Sequence, residues 1–219
     1  MRTLKTAYVL NICLFLLEVF AICWMMSGIH TGLLSASRLV ALKYFTVDSN
    51  ILMGIIAFIV AIDQRKVLKG TKSEVSASTY ILKLVGTVGV TLTMIITVFF
   101  LVPTTAAVYG PFAMFYNSNF LLHLLNPLFS IMTFVCFEKT NQIDFIYTFA
   151  GIIPMLIYAV YYLSAALSHT QNGMIAKGYD WYGFFFAGTR SVVIVVPIIV
   201  LLTYGISAVL WKWNRKGML

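Results

Sequence analysis

Several side chains of this sequence that can do chemistry stand inside stretches otherwise apolar enough for a lipid bilayer. Glu18 lies in the first such stretch, and Lys43, Thr46, Asp48, Ser49 and Asn50 lie together in the second. Asn119, His123 and Asn126 fall in the fourth, Tyr158, Tyr161 and Tyr162 in the fifth, and Arg190 begins the sixth. An ionisable group in hydrocarbon costs several kcal/mol unless it meets a partner or a water-filled cavity. Three uses fit such a cluster: a catalytic centre with His123 moving protons, a solute or ion path, and a lipid-binding pocket without chemistry. Taken singly, each residue also has a plain reading. A membrane histidine often bridges two helices for about 1 kcal/mol, and a membrane threonine usually bonds its own backbone.

Helical spacing sharpens the pattern. Lys43, Thr46 and Asn50 are three and four residues apart and share one helical face, with Ser49 beside it and Asp48 turned away. Asn119, His123 and Asn126 share a face by the same rule. Two polar stripes at one depth are what a buried cavity needs. Asp48 is expected to pair through water with the helix that carries Glu18, or to pair with Arg190. Pro127 cannot donate to the carbonyl four residues back, so a kink with an unpaired acceptor is expected at His123. Pro154 and Pro197 are expected to free the carbonyls of Ala150 and Val193 in the same way.

The elements that must hold these residues follow from composition. Of 219 residues, 61% are hydrophobic and only 10% charged, and the mean hydropathy is +0.93. A soluble domain needs about a quarter of its residues charged, so the sequence predicts an all-α integral membrane protein in one domain, residues 1–219. Apolar runs of about 20 residues cross about 30 Å of hydrocarbon. They lie near Ala7–Met26, Arg38–Ile62, Tyr80–Val102 (stopped by Pro103), Ser118–Phe137, Phe145–Leu167 and Gly188–Trp211. The first is too long for a signal-peptide core and lacks a cleavage site, so it reads as a retained helix.

Basic residues predict the orientation. Arg2, Lys5, Arg65, Lys66, Lys69, Lys72, Lys139, Lys212, Arg215 and Lys216 collect at one set of ends, while the alternate loops hold little: no basic residue between Pro103 and Asn117, and Lys177 between the fifth and sixth spans. Both termini are therefore expected in the cytoplasm, with the polar cluster in the outer half of the bilayer and an inner half nearly featureless apart from a snorkelling Lys83. Tyr179, Trp181 and Tyr182 at one boundary, and Trp211 and Trp213 at the other, read as interfacial anchors. The net charge of +8 is spent on topology; without a basic patch interleaved with aromatics, no nucleic-acid partner is expected. Cys13, Cys23 and Cys136 read as small packing residues. His30, His123 and His169 lack metal-ligand spacing, and neither a metal nor a cofactor is expected. Nothing in the sequence signals an oligomeric state.

Two segments resemble a known family. Tyr44-Phe45-Thr46-Val47-Asp48-Ser49-Asn50-Ile51-Leu52 is similar to a "YFT-x-x-SN-L" signature, and His123-Leu124-Leu125-Asn126-Pro127-Leu128, with Phe134, Phe137 and Glu138, to an "H-x-x-x-P" segment. Tyr158 and the loop Tyr179-Asp180-Trp181-Tyr182-Gly183-Phe184 extend the likeness in order and spacing over most of the chain. The family is that of the androgen-induced and androgen-dependent membrane hydrolases and their bacterial relatives. These are six-helix threonine hydrolases of fatty acid esters of hydroxy fatty acids. The resemblance implies Thr46 as nucleophile, His123 as base, a lipid ester substrate arriving from the bilayer, and a bacterial cytoplasmic membrane. In that scheme Lys43 or Asn50 donates to the oxyanion, while Ser49, Asn119, Asn126, Tyr158 and Arg190 line the site. Asp48 stands where many relatives carry a neutral residue, and Leu122 where they carry a second histidine, departures that bear on the substrate.

Overall fold

The computed structural model describes residues 2–29, 36–171, 174–176 and 178–215; His30, Lys177 and Lys216 lie outside them. Six helices are long and apolar enough to cross a membrane: α1 Arg2–Ser27, α2 Phe45–Leu68, α3 Ala77–Tyr109, α4 Ser118–Phe137, α5 Phe145–Ser168 and α6 Thr189–Arg215. The protein is an all-α integral membrane protein. Its paired strands among the described residues are the short hairpin Thr170–Gln171 with Met174–Ile175.

α1 turns a stripe of polar and small residues inward. On α1 the buried residues are Ala7, Asn11, Leu14, Glu18, Ala21 and Met25, alternately four and three apart, which is one stripe down a helix. The opposite side is lipid-facing, with Val9, Leu16, Val19 and Phe20 exposed. Cys13, Cys23 and Cys136 are exposed on these outer surfaces too and do not pack inside the bundle. The first and last described residues lie at one end. Asn11 near the start of α1 and Asn214 near the end of α6 both reach Glu138, Asn11 through the carboxylate at 2.5 Å and Asn214 through the carbonyl at 2.8 Å. This is called the termini end below, and its opposite the far end.

The second span differs from its expected bounds. Arg38–Lys43 forms a 3-10 turn, Tyr44 is extended at φ −101°, and α2 begins only at Phe45. Lys43 is therefore off the helix and shares no face with Thr46 and Asn50. At its other end α2 runs on to Leu68, so Arg65 and Lys66 sit in its last turn, where cations suit the helix dipole.

Two prolines, Pro103 and Pro127, are absorbed by wide turns instead of ending helices. Pro103 does not stop α3: residues Thr97–Leu101 form a π segment, Val102 donates to the Thr97 carbonyl, and the helix continues to Tyr109. In α4 the π segment Leu121–Leu125 precedes Pro127 in the same way, with Asn126 donating to Leu121. That register moves the orphaned acceptor from His123 to Leu122, five residues before the proline. Asn50 Nδ2 supplies the missing donor to the Leu122 carbonyl at 3.2 Å. Pro154 sits near the start of the α-helical part of α5, after a 3-10 stretch Phe145–Ile152, and the Ala150 carbonyl accepts from Ile153. Pro197 lies inside α6.

At Gly151, α5 comes against α6 and α3. A Cβ there would stand 2.5 Å from Ser207 Oγ and 3.1 Å from Val88 Cγ2, while Ser207 donates to the Thr148 carbonyl at 2.8 Å. Gly151→Ala is expected to destabilise the bundle by about 1–3 kcal/mol through overpacking. Thermal unfolding in detergent measures it, and an unchanged melting temperature would show that these helices can separate without cost.

Candidate functional site

The site is built at the far end, where α2 begins. Thr46 is the second residue of that helix and is half-buried, and its hydroxyl makes no hydrogen bond with any described residue. Asn50 sits one turn below with both amide hydrogens engaged, one on the Thr46 carbonyl at 2.6 Å and one on Leu122. Ser49 donates to the same Thr46 carbonyl at 3.1 Å and lies 3.2 Å from the Thr93 hydroxyl on α3. Asn50 and Ser49 thus fix the helical turn that presents Thr46.

His123 is 7% exposed. Its Nδ1 lies 3.2 Å from the Thr97 hydroxyl, while Nε2 has no partner among the described residues. Both residues belong to π segments, α4's and α3's, and wide turns of this kind recur at functional sites. Thr97 escaped the sequence reading because a membrane threonine is ordinarily satisfied by its own backbone. Pro103, which follows the π segment of Thr97 as Pro127 follows that of His123, is the signal that could have found it.

Two cavities meet at Thr46. One, of about 270 Å³, is lined by Thr46, His123, Asn119, Thr105, Trp181 and Tyr182 among others. The second, of about 110 Å³, is almost wholly apolar, with Leu92, Ile96, Phe100, Met155 and Ile199 in its wall and Thr97 and Tyr158 at its polar edge. Thr46, Leu101 and Tyr182 border both. Thr46 and His123 therefore face one space, without a direct hydrogen bond between them.

The loop before α6 closes the far end. Tyr182 accepts from the Phe45 amide at 2.9 Å, Trp181 Nε1 donates to the Tyr158 hydroxyl at 3.0 Å, and Tyr158 donates to the Lys43 carbonyl at 2.5 Å. Asp180 holds the turn, accepting from the Tyr162 hydroxyl and from the amides of Phe184 and Phe185, the latter two at 2.9 and 3.0 Å. Burial raises the Tyr182 phenol well above its ordinary value, so it stays a neutral hydroxyl. Trp181 and Tyr182 are thus cavity walls, not simple interfacial anchors. Tyr179 instead stacks on His169 with ring centres 3.5 Å apart.

Other sequence candidates fall elsewhere. The Lys43 ammonium rests over the Tyr44 and Trp181 rings at 5.2 and 5.6 Å, a cation–π arrangement. Arg190 is exposed on α6 and lines neither cavity. Asp48 is half-buried and makes no side-chain hydrogen bond to a described residue, so the expected direct pairing with Arg190 does not form. Glu18 instead accepts from Asn126 Nδ2 at 2.7 Å.

The termini-end half of the bundle is far from featureless. Lys83 is 0% exposed and does not snorkel. Its ammonium donates to Asn11 Oδ1 at 2.5 Å and lies 3.5 Å from Glu138, whose carboxylate also accepts from Gln64 at 2.9 Å. Between the two ends, Thr87 and Ser130 are joined at 2.9 Å. The buried residues Asn119, His123, Asn126, Ser130, Thr133 and Glu138 therefore make one polar stripe along all of α4. Asn11 and Glu18, seven apart on α1, carried the readable signal for it.

The fold and the site define a six-helix membrane protein with a threonine–histidine cavity at one end and a buried ionic network at the other. Compared with protein-family models, curated proteins and solved structures, the chain finds no match in any of the three.

Proposed function

We propose that the protein is an intramembrane threonine hydrolase of lipid esters, similar in chemistry to the androgen-induced and androgen-dependent hydrolases that its two motifs resemble. The observation that carries this reading is the position of Thr46, shared between an apolar cavity fit for an acyl chain and a polar cavity holding His123. In the proposed reaction Thr46 Oγ attacks the ester carbonyl, and His123 Nε2 takes its proton and returns it to the leaving alcohol. Water then cleaves the acyl-threonine with the same histidine as base. Thr97 accepts from His123 Nδ1–H and so keeps Nε2 unprotonated. Lys43 and Asn50 are engaged elsewhere, so the oxyanion donor is assigned to the Asn119 amide in the cavity wall. With the termini cytoplasmic, as the basic residues predict, the cavity opens toward the outer leaflet and the lipid arrives between helices.

Thr97→Val tests the arrangement of the histidine. It keeps the shape, removes the acceptor, and is expected to slow hydrolysis of a fluorogenic fatty acid ester about tenfold, with the protein still folded. Hydrolysis lost in Thr97→Val but retained in Thr46→Ala would transfer the nucleophile to Thr97.

A second reading draws on the full-length polar stripe of α4, which a proton or solute path would need. It predicts flux across proteoliposomes that persists in Thr46→Ala.

A further inference from the structure

Beneath the candidate site, three neighbouring helices each bury an oxygen without a hydrogen-bond partner. Glu18 Oε1 on α1, Asn50 Oδ1 on α2 and Asn126 Oδ1 on α4 are buried acceptors that no hydrogen-bond donor of the described residues reaches. The three residues are 1%, 0% and 0% exposed. Contacts between their helices place them in one neighbourhood. Asn126 donates to Glu18 at 2.7 Å, and Asn50 donates to Leu122, one turn before Asn126. Gly54, one turn after Asn50, lies so close to α1 that a Cβ there would stand 3.1 Å from the Glu18 Cβ.

The amide orientations are fixed. Turning Asn50 over would set its oxygen against two carbonyls, and turning Asn126 over would set its oxygen against a carboxylate oxygen. Buried polar atoms are almost always partnered, so three acceptors at one junction need positive charge or donors. A proton on Glu18 satisfies its own oxygen and one asparagine, and the other then needs a separate donor such as water. A water molecule has hydrogens for two of the three. A small cation at this junction would serve all three and neutralise the carboxylate, which forms no ion pair among the described residues: Lys83 is bonded to Asn11 and paired with Glu138, and acts on Glu18 only as a more distant charge. One carboxylate with two amide oxygens is a hard, singly charged ligand set.

We infer that Glu18, Asn50 and Asn126 form an intramembrane binding site for a small monovalent cation of the sodium type. Because Asn50 also holds the Thr46 carbonyl, the ion steadies the turn that presents Thr46. This inference stands whether or not Thr46 is a nucleophile.

The test is thermal unfolding of the purified full chain in detergent, in sodium chloride and in choline chloride at equal ionic strength and pH. Sodium is expected to raise the melting temperature by about 5 °C in a saturable way, and Glu18→Gln to lose that response. Equal melting in sodium and choline, or a response retained in Glu18→Gln, overturns the inference. If Glu18→Gln does not fold, radiolabelled sodium binding to wild type and Asn50→Ala decides. Saturable binding of one ion per chain, weakened about tenfold in Asn50→Ala, supports the site. An absence of saturable binding, or equal affinity in the variant, overturns it.

Discussion

Thr46→Ala is expected to abolish covalent labelling of the purified protein by a fluorophosphonate probe, and His123→Ala to reduce it by about a hundredfold or more. The first loss is complete because the probe needs the hydroxyl that the substitution removes. The second is set by what a positioned general base contributes, about 10²–10⁴ in rate. Both positions tolerate truncation structurally. Thr46 is half-buried beside two cavities with its hydroxyl outside any protein hydrogen bond. His123 loses one contact, to Thr97. Unchanged melting temperatures in both variants separate lost chemistry from lost folding. Labelling that survives Thr46→Ala in a folded protein would sink the hydrolase reading unless Thr97→Val removes it.

The largest effect on stability is expected at Lys83. Lys83→Met keeps much of the volume but leaves Glu138 without its cation, in a place where neither side chain is exposed to solvent. Removing one partner of a buried pair costs about 3–5 kcal/mol, and at 2–4 °C per kcal/mol for a chain of this size the melting temperature should fall by about 10 °C. Lys83→Met combined with Glu138→Leu should recover most of that loss. The stranded charge is then gone, and Asn11 and Gln64 still bond each other at 3.2 Å. A double variant as unstable as the two single losses summed would mean that the network supports the fold by some route other than charge pairing.

The six helices were legible because hydropathy in a bilayer is a one-dimensional property: length and apolar composition decide it locally. The residues facing the larger cavity were partly legible for a related reason. Asn119 and His123 announce themselves as polar groups in hydrocarbon. What escaped depends on neighbours. Lys83 was expected at the surface because a lysine stem can reach it, and only the convergence of Asn11, Gln64 and Glu138 from three other helices keeps it inside. Lys43 left the Thr46 face because Tyr44 is extended, a break that no proline or glycine marks. The pairing of Thr97 with His123 requires two helices to shift register together, and helical spacing at 3.6 residues per turn carries no trace of that.

The wide turn at the end of α4 sets a rule about chain length. Thr133 and Glu138 are five residues apart, and in an ordinary helix the second would point well away from the first. The π segment Thr133–Phe137 accommodates one residue more than an α turn, and so brings Glu138 back beneath Thr133 to meet Lys83. Deleting a single residue there would leave composition, hydropathy and span length almost untouched, yet would swing the acid toward lipid. A change of one residue in length there cannot be absorbed. Drift in sequence among descendants of this chain should therefore be free of insertions and deletions between Thr133 and Glu138.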